Sequence, residues 1–211
     1  EVYLETAMYY VRLGLTADAV AVLKNIPEHP TACYWLAYLL KDASAEESQG
    51  YLEKASGMSA WLVFPFREES IPVFEWAVSA RPSDWKPKYY LGLILWGKGR
   101  VDESLRLFES CRESDFAPFF LARGSLYQDR APEKARADFE TAVRIDDKSW
   151  RNWHLLAGFL LRAGLTDEAL KCSRQAAERF PDEVPVVIDL VKSLMKAGQY
   201  AEAAALLDEC R

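Results

Sequence analysis

Hydrophobic and small residues recur along the chain in blocks of about 34 residues. In each block, small, large and small residues follow one another at steps of three and four, which places them on one face of an α-helix. The last small residue of each set recurs at nearly constant spacing, at Ala77, Cys111, Ala142, Ala176 and Cys210. Recurrence at a fixed period predicts an array of stacked repeats.

Each of these helices follows another segment with a helical pattern of its own. The segment NWHLLAGFLLRAG carries Trp153, Leu156, Ala157 and Leu160, and it stops at Gly164. The segments KYYLGLILWGKG and VVIDLVKSLMKAG repeat this order. The small residue after leucine lets a neighbouring helix approach, and the glycine adopts the left-handed conformation that closes a helix. The pattern therefore predicts pairs of helices.

These segments resemble the tetratricopeptide repeat, whose signature is W-x2-L-G-x2-Y, then A-x3-F, then P within each repeat. The match is fullest from Trp153 to Pro181, where Ala157, Leu160 and Ser173 depart from the signature. The resemblance implies an all-α fold, a right-handed superhelical solenoid of antiparallel helix pairs with a concave groove lined by the first helices. It also implies a non-enzymatic scaffold that binds a protein or peptide in that groove.

The array is irregular around residues 59–70. Ala55 and Ala77 occupy equivalent positions but lie too close in sequence for a whole repeat, so one unit has lost its first helix. We predict one continuous domain with three segments. These are two degenerate helix pairs over 1–58, an irregular aromatic bridge and a single helix over 59–84, and four helix pairs over 85–211. The repeat that starts at Pro118 allows two registers, with either Leu126 or Tyr127 buried.

The bridge, SAWLVFPFREES, is the most apolar irregular stretch of the chain. We expect Pro65 to end a short helical turn there, because proline cannot continue a helix. Trp61, Phe64 and Phe66 are then expected to bury as an irregular plug between stacked pairs, or to dock a neighbouring domain. A ligand site is the alternative. Residues 67–69 are expected to start the following helix.

The first helices also supply candidates for the groove. Steps of three or four residues from the packed positions select twelve side chains. They are Tyr34, Tyr38, Tyr89, Leu93, Trp96, Phe120, Tyr127, Arg151, His154, Arg162, Lys192 and Lys196. The middle of this set is aromatic and its C-terminal third is basic, and Lys41 and Lys86 add further cations. The alternative is that the cations are solvated and that the aromatic rings fill the array.

The charge and the aromatic content narrow the class of ligand that the groove could bind. The formal net charge is -6, so a basic inner face indicates an anionic or carboxylate-bearing ligand. Members of the family that hold a peptide C-terminus use a lysine and asparagine clamp. Here the equivalent faces carry Tyr34, Tyr89, Phe120 and His154, without asparagine partners, so the resemblance does not extend to that clamp. Aromatic faces favour an extended apolar or aromatic peptide, or a sugar.

Other classes of function find little support in the sequence. The acidic chain argues against nucleic-acid binding, and no apolar run is long enough to cross a membrane. The four cysteines, Cys33, Cys111, Cys172 and Cys210, form no C-x-x-C motif. We expect free, mostly buried thiols, a cytoplasmic location, and no metal, cofactor or catalytic residue. The pairs Glu46–Glu47, Glu68–Glu69 and Asp146–Asp147 are interpreted as helix starts.

Two further interpretations stay open. The array also resembles, less specifically, the C-terminal repeat region of large bacterial proteins that carry an N-terminal domain of unknown function. The chain, which lacks an initial methionine, would then be an accessory part of a larger and carbohydrate-active enzyme, docked to an upstream domain of the same chain. The other interpretation is self-association through the last helix, near Cys210.

Overall fold

The structure is a computed structural model that describes residues 2–26, 28–111 and 114–209. Within these ranges the chain forms 13 α-helices, one short 3₁₀ turn at Glu68–Ser70 and no β-strand. The helices are α1 (Val2–Arg12), α2 (Thr16–Lys24), α3 (Pro30–Leu40), α4 (Ala45–Gly57), α5 (Ile71–Ala80), α6 (Trp85–Gly97), α7 (Val101–Glu109), α8 (Ala117–Tyr127), α9 (Pro132–Ile145), α10 (Trp150–Arg162), α11 (Thr166–Arg179), α12 (Val184–Lys196) and α13 (Tyr200–Glu209). The predicted all-α class is confirmed. Pro27 and Cys210 lie outside the described residues.

The chain divides into two compact units, Glu1–Ser114 and Asp115–Arg211. In the first unit α1 packs against α2, α3 against α4, and α6 against α7, while α5 has no first helix of its own. In the second unit α8 packs against α9, α10 against α11, and α12 against α13. The described helices thus form two pairs within 1–58, the single helix α5 within 59–84 and four pairs within 85–211. Their assembly into one continuous domain stays a prediction.

Glycine and small residues set the geometry of each pair. Gly164 has a φ of 74°, and the chain turns there so that the Leu165 N–H donates to the Leu160 carbonyl at 3.0 Å. Gly92 serves close packing instead, because a Cβ at that position would lie 2.3 Å from Cε1 of Phe108. Both roles match the sequence prediction. They fix where each first helix ends and how closely its partner approaches.

The missing first helix brings α3 and α6 together in the first unit. The Tyr34 and Tyr90 rings lie 6.1 Å apart, and both contact Phe74 of α5, at 5.5 and 5.6 Å. The Tyr34 hydroxyl donates to Asp84 Oδ2 at 3.3 Å. A regular array would place another first helix between α3 and α6. Its absence lets aromatic rings of both helices form a common core with α5.

The segment between α4 and the 3₁₀ turn forms no helix, but it does not form the predicted plug. Trp61, Leu62, Phe64 and Phe66 are between 57 and 81% exposed, whereas the small Ala60 and Val63 are buried. We call residues 61–67 the strap. The expectation that its aromatic side chains bury was wrong, because the two small side chains anchor the segment and turn the large ones outwards. Pro65 therefore ends no helical turn.

Two other predictions concern helix register and helix starts. In α8 both Leu126 and Tyr127 are buried, so burial does not distinguish the two proposed registers. Glu46 and Glu47 lie in the first turn of α4, as expected. Asp146 instead follows the last residue of α9, and α10 begins only at Trp150. The interpretation of Asp146–Asp147 as a helix start was therefore wrong.

Candidate functional site

An open cleft lies between α10 and α12 in the second unit. Its volume is about 210 Å³. Seven residues line it: His154, Leu155, Gly158, Leu161, Arg162, Asp189 and Lys192. Three of the twelve predicted groove residues, His154, Arg162 and Lys192, therefore meet in one cavity. They come together because α10 and α12, the first helices of consecutive pairs, pack side by side.

A histidine and a carboxylate form the floor of the cleft. His154 Nδ1 lies 2.5 Å from Asp189 Oδ2. The Asp189 side chain is 5% exposed and that of His154 is 40% exposed. Because a carboxylate oxygen only accepts hydrogen bonds, Nδ1 is the nitrogen that donates the proton. The edge of the His154 ring meets Trp150, with 6.1 Å between centroids. The pair joins α10 to α12, and the buried carboxylate is already engaged by the imidazole.

Two cations stand at the opening of the cleft. Arg162 donates a hydrogen bond to the uncharged side chain of Gln128, and Lys192 is exposed. Neither forms an ion pair with any residue in the described ranges. Gly158 also lines the cleft, and a Cβ at this position would lie 3.4 Å from Nη1 of Arg162. This arrangement suits a ligand that brings carboxylate or phosphate oxygens.

The other two basic candidates lie outside the cleft lining. Arg151 is exposed, and its guanidinium sits 4.5 Å from the centroid of the Trp150 ring. Lys196 is exposed one turn after Lys192 on α12. Both add positive charge to the two helices that form the cleft.

Three predicted groove residues are buried, so this part of the prediction was wrong. Tyr34 lies in the aromatic core of the first unit. Tyr89 packs against Trp85 and Phe108, with 5.9 and 6.0 Å between ring centroids. Tyr127 is also buried. The missing first helix explains Tyr34, because α3 and α6 close on each other there. The burial raises the pKa of both the Tyr34 and the Tyr89 hydroxyl, which is consistent with a location in the core.

Four more candidates are half-buried and line no cavity with the cleft residues: Tyr38, Leu93, Trp96 and Phe120. Two of them are occupied by ring contacts. The Tyr38 ring meets Trp76 at 6.0 Å and lies under Lys41 Nζ at 4.0 Å. Phe120 meets Phe119 at 5.2 Å. These contacts match the alternative in which aromatic rings fill the array.

The cation Lys86 also serves the framework. Its Nζ donates to the backbone carbonyls of Ser56 and Met58, and its N–H donates to Asp84 Oδ1 at 3.0 Å. Its charge thus holds the start of α6 against the end of α4. Lys86 therefore does not act as a groove cation.

The sequence prediction missed Asp189, the residue that orients His154. A signal for it exists, since Asp189 interrupts the otherwise apolar run VVIDLV of α12. A carboxylate on the buried face of a helix needs a partner, and His154 lies on the preceding first helix. The two together predict a contact between α10 and α12.

The hydroxyl group nearest to the cleft on α12 is already engaged in hydrogen bonds. Ser193, the nearest hydroxyl on α12, shares a buried hydrogen bond of 2.9 Å with Ser173 and donates to the Asp189 carbonyl. Across the described ranges, no group of three or more His, Cys, Asp or Glu is placed to hold a metal ion. None of the described helices combines the length and the apolar run needed to cross a membrane.

Comparison with protein families points to one kind of repeat. Two family models, both described as tetratricopeptide repeat, match residues 166–210 and 66–118. The first includes α11 to α13, and the second runs from the end of the strap through α7. Among curated proteins none matches the chain.

Solved structures show the same fold. YrrB, a TPR protein with an unusual peptide-binding site, is 18% identical over 85% of this chain and 84% of its own, with a TM-score of 0.58. A thermophilic TPR protein of Thermus thermophilus is 21% identical over 92% and 97%, with a TM-score of 0.51. MamA of Desulfovibrio magneticus is 17% identical over 87% and 96%, with a TM-score of 0.51. At these identities the likeness concerns the fold.

Proposed function

Because the chain belongs to the tetratricopeptide-repeat family, we propose that it is a scaffold without catalytic activity that binds an extended, acidic segment of a partner protein. Such repeats expose long surfaces, because each pair packs only against its neighbours. The peptide-binding site of YrrB offers a precedent for peptide capture on this fold. Nothing in the fold or the comparisons favours the alternative of an accessory region of a larger enzyme.

The cleft between α10 and α12 is the observation that carries this proposal. It presents the charges of Arg162 and Lys192 in a chain whose formal net charge is -6. Several other cations of the same unit are used in ion pairs, such as Arg136 with Glu168 and Arg179 with Asp147. Cations that stay available in an acidic protein favour recognition of carboxylates. The side chains of glutamate and aspartate in a peptide supply them.

A labelled acidic peptide tests the proposal. We expect a tetramethylrhodamine-labelled hexaglutamate peptide to bind the chain in fluorescence anisotropy, and more weakly as salt is added, because surface charges are screened. The variants Arg162→Gln and Lys192→Gln should each weaken binding about tenfold. Loss of one charge-assisted hydrogen bond costs about 1.5 kcal/mol or more, and about 1.4 kcal/mol is tenfold in affinity.

Lys171→Gln is the matched control, since Lys171 is an equally exposed cation on the second helix α11. It should leave the affinity for the peptide within about twofold. Equal losses of affinity for Lys171→Gln and Lys192→Gln would mean that peptide binding depends only on the net charge of the chain. The cleft would then not be the binding site. A hexaserine peptide with the same label should not bind.

A further inference from the structure

The strap is fixed in place at both ends. Ala60 and Val63 are buried, and Arg67 pairs with Glu5 of α1. Just after the strap, Glu68 pairs with Lys98 at 2.8 Å, and Ser70 accepts a hydrogen bond from Trp35 Nε1 of α3 at 3.1 Å. The strap is therefore held against α1 and α3, although it belongs to no helix.

The strap lies against repeat positions of the first unit whose equivalents in the second unit line the open cleft. Trp35 stands immediately before Leu36–Ala37, as Leu155 stands before Leu156–Ala157. Glu5 precedes Gly14 by the same number of residues as Asp189 precedes Gly198, so Glu5 and Asp189 occupy equivalent positions in their repeats. Leu155 and Asp189 line the cleft, whereas Glu5 accepts from Arg67 of the strap and Trp35 donates to Ser70 of the 3₁₀ turn. In the first unit the apolar strap thus covers the positions that form an open polar cleft in the second unit.

The backbone of the strap keeps an unfavourable conformation at its most exposed residue. Leu62 has a φ of 60°, the one positive φ outside glycine in the described ranges. Its side chain is 81% exposed, so no burial offsets the strain. The turn at Leu62 directs the chain so that Phe64 and Phe66 stand beside a cavity. Backbone strain that buries no side chain in return indicates a role in binding and not in folding.

A cavity of about 240 Å³ lies between the strap and the two helices. Leu62, Phe64, Pro65 and Phe66 form its apolar part, and Leu4 closes it from α1. His29, Thr31, Arg67 and Ser70 contribute polar atoms. Such a volume takes about one large side chain, since complete ligand sites measure about 300–1,000 Å³.

The charges and the size of this surface define its occupant. The charged groups at the end of the strap and just after it are all used in ion pairs. Arg67 pairs with Glu5, Glu68 with Lys98, and Glu69 with Arg12. The exposed side chains offer roughly 500 Å². A stable dimer or domain interface needs about 800 Å² from each partner, so the patch is too small for a second copy. A lipid surface would be favoured by available cations, which the strap lacks.

We propose that the strap and its cavity bind a short apolar segment of a partner protein, which inserts one aromatic or aliphatic side chain between Phe64, Phe66 and α3. This proposal rests on the scaffold function proposed above and adds an apolar recognition surface in the first unit. It does not depend on the acidic peptide or on the cleft. Either surface can therefore fail its test while the other passes.

The test uses capped amino acids as probes of the cavity. We expect acetyl-phenylalanine amide and acetyl-leucine amide to shift the backbone amide NMR signals of Thr31 and of residues 62–64 and 66–70, with saturation in the millimolar range. Acetyl-glutamate amide should shift none of them. The double variant Phe64→Ser/Phe66→Ser should weaken the binding of both apolar probes at least about fivefold, because it removes most of the apolar wall.

Two variants make the test specific. Tyr200→Ser removes an equally exposed aromatic ring from the second unit and should leave the binding of both probes unchanged. Leu62→Gly relieves the positive φ, so it should raise the urea midpoint of unfolding while it weakens probe binding. The proposal is overturned if no shifts occur at about 20 mM probe or if Phe64→Ser/Phe66→Ser binds as the unchanged chain does. It is also overturned if the strap binds phosphatidylcholine vesicles instead of the probes.

Discussion

At the scale of single residues, Gly92 shows how closely a first helix approaches its partner. A Cβ at this position would lie 2.3 Å from Cε1 and 2.9 Å from Cζ of Phe108, which is fully buried. Phe108 is packed against Tyr89 and has no room to move away. We predict that Gly92→Ala lowers the free energy of unfolding by about 1–3 kcal/mol through overpacking, measured by urea unfolding.

Gly97 provides the control on the same helix. No atom lies within 4 Å of a Cβ built at Gly97. Gly97→Ala should therefore leave stability unchanged or raise it by up to about 1 kcal/mol, because alanine favours a helix. A Gly92→Ala variant as stable as Gly97→Ala would show that α6 and α7 can separate at no cost, contrary to the packing described.

The cysteines lend themselves to a prediction about pH. Cys33, Cys111 and Cys172 are buried, as expected from the sequence, and Cys210 lies outside the described residues. Burial raises the pKa of the Cys172 thiol to about 12, and the negative charge of Asp189 adds to the effect. Burial also raises the pKa of the Cys33 thiol. Because the thiolate is the reactive form, both thiols should be inert near neutral pH.

We predict that iodoacetamide at pH 8 labels Cys172 at least about a hundredfold more slowly in the folded chain than in urea, as followed by mass spectrometry of the peptides. The raised pKa also fixes the direction of the stability change. Above a pH of about 9 the unfolded thiol loses its proton while the folded one keeps it, so stability falls as pH rises. Rapid labelling of folded Cys172 at pH 8 would contradict the burial.

At the scale of helices, an ion pair joins α8 to α9. Arg123 donates to both carboxylate oxygens of Asp138, from Nε at 2.9 Å and from Nη2 at 2.7 Å. The Asp138 side chain is almost fully buried. The equivalent positions of the other repeats hold less polar residues, Val73, Leu107, Cys172 and Leu206. This pair is thus a polar substitute for a hydrophobic contact.

Asp138→Asn should destabilise the chain by about 3 kcal/mol, because it replaces the buried charged acceptor of two Arg123 hydrogen bonds with a neutral amide. The double variant Arg123→Met/Asp138→Leu restores the apolar contact of the other repeats. It should lose no more than about 1 kcal/mol. Urea unfolding followed by circular dichroism compares the two. A double variant less stable than Asp138→Asn would mean that the ion pair itself stabilises this helix pair.

The order of the helices was predictable, because each pair repeats the same residue spacing. Gly164 and Gly198 close their helices as expected, and the short separation of Ala55 and Ala77 correctly predicted a missing first helix. The side-chain directions in the strap were not predictable. A segment without a strand or helix periodicity defines no inner face, so the apolar character of Trp61 did not show which side it takes.

The predicted groove residues meet in one cavity only where the repeat is regular. His154, Arg162 and Lys192 lie on first helices with standard neighbours, and all three line the cleft. Tyr34 followed the same arithmetic and was wrong, because the contact between α3 and α6 exists only where a helix is missing. A rule derived from the repeat fails at the position where the repeat is broken.

At the scale of the whole molecule, the two units carry surfaces of different chemistry. The first presents the strap, where apolar side chains are exposed and the adjacent charges are paired. The second presents a cleft with two cations that form no ion pair with described residues. A chain with a formal net charge of -6 thus carries one exposed apolar surface and one cleft lined by cations. We infer that it reads two kinds of peptide feature.

The proposed binding of an acidic segment between α10 and α12 can be tested by titrating unlabelled hexaglutamate into the ¹⁵N-labelled chain and mapping the amide shifts. We expect the largest shifts within residues 154–162 and 189–192. In the Lys192→Gln variant the same shifts should need about tenfold more peptide. Shifts concentrated on α11 and α13, or none at about 1 mM peptide, would contradict the proposal.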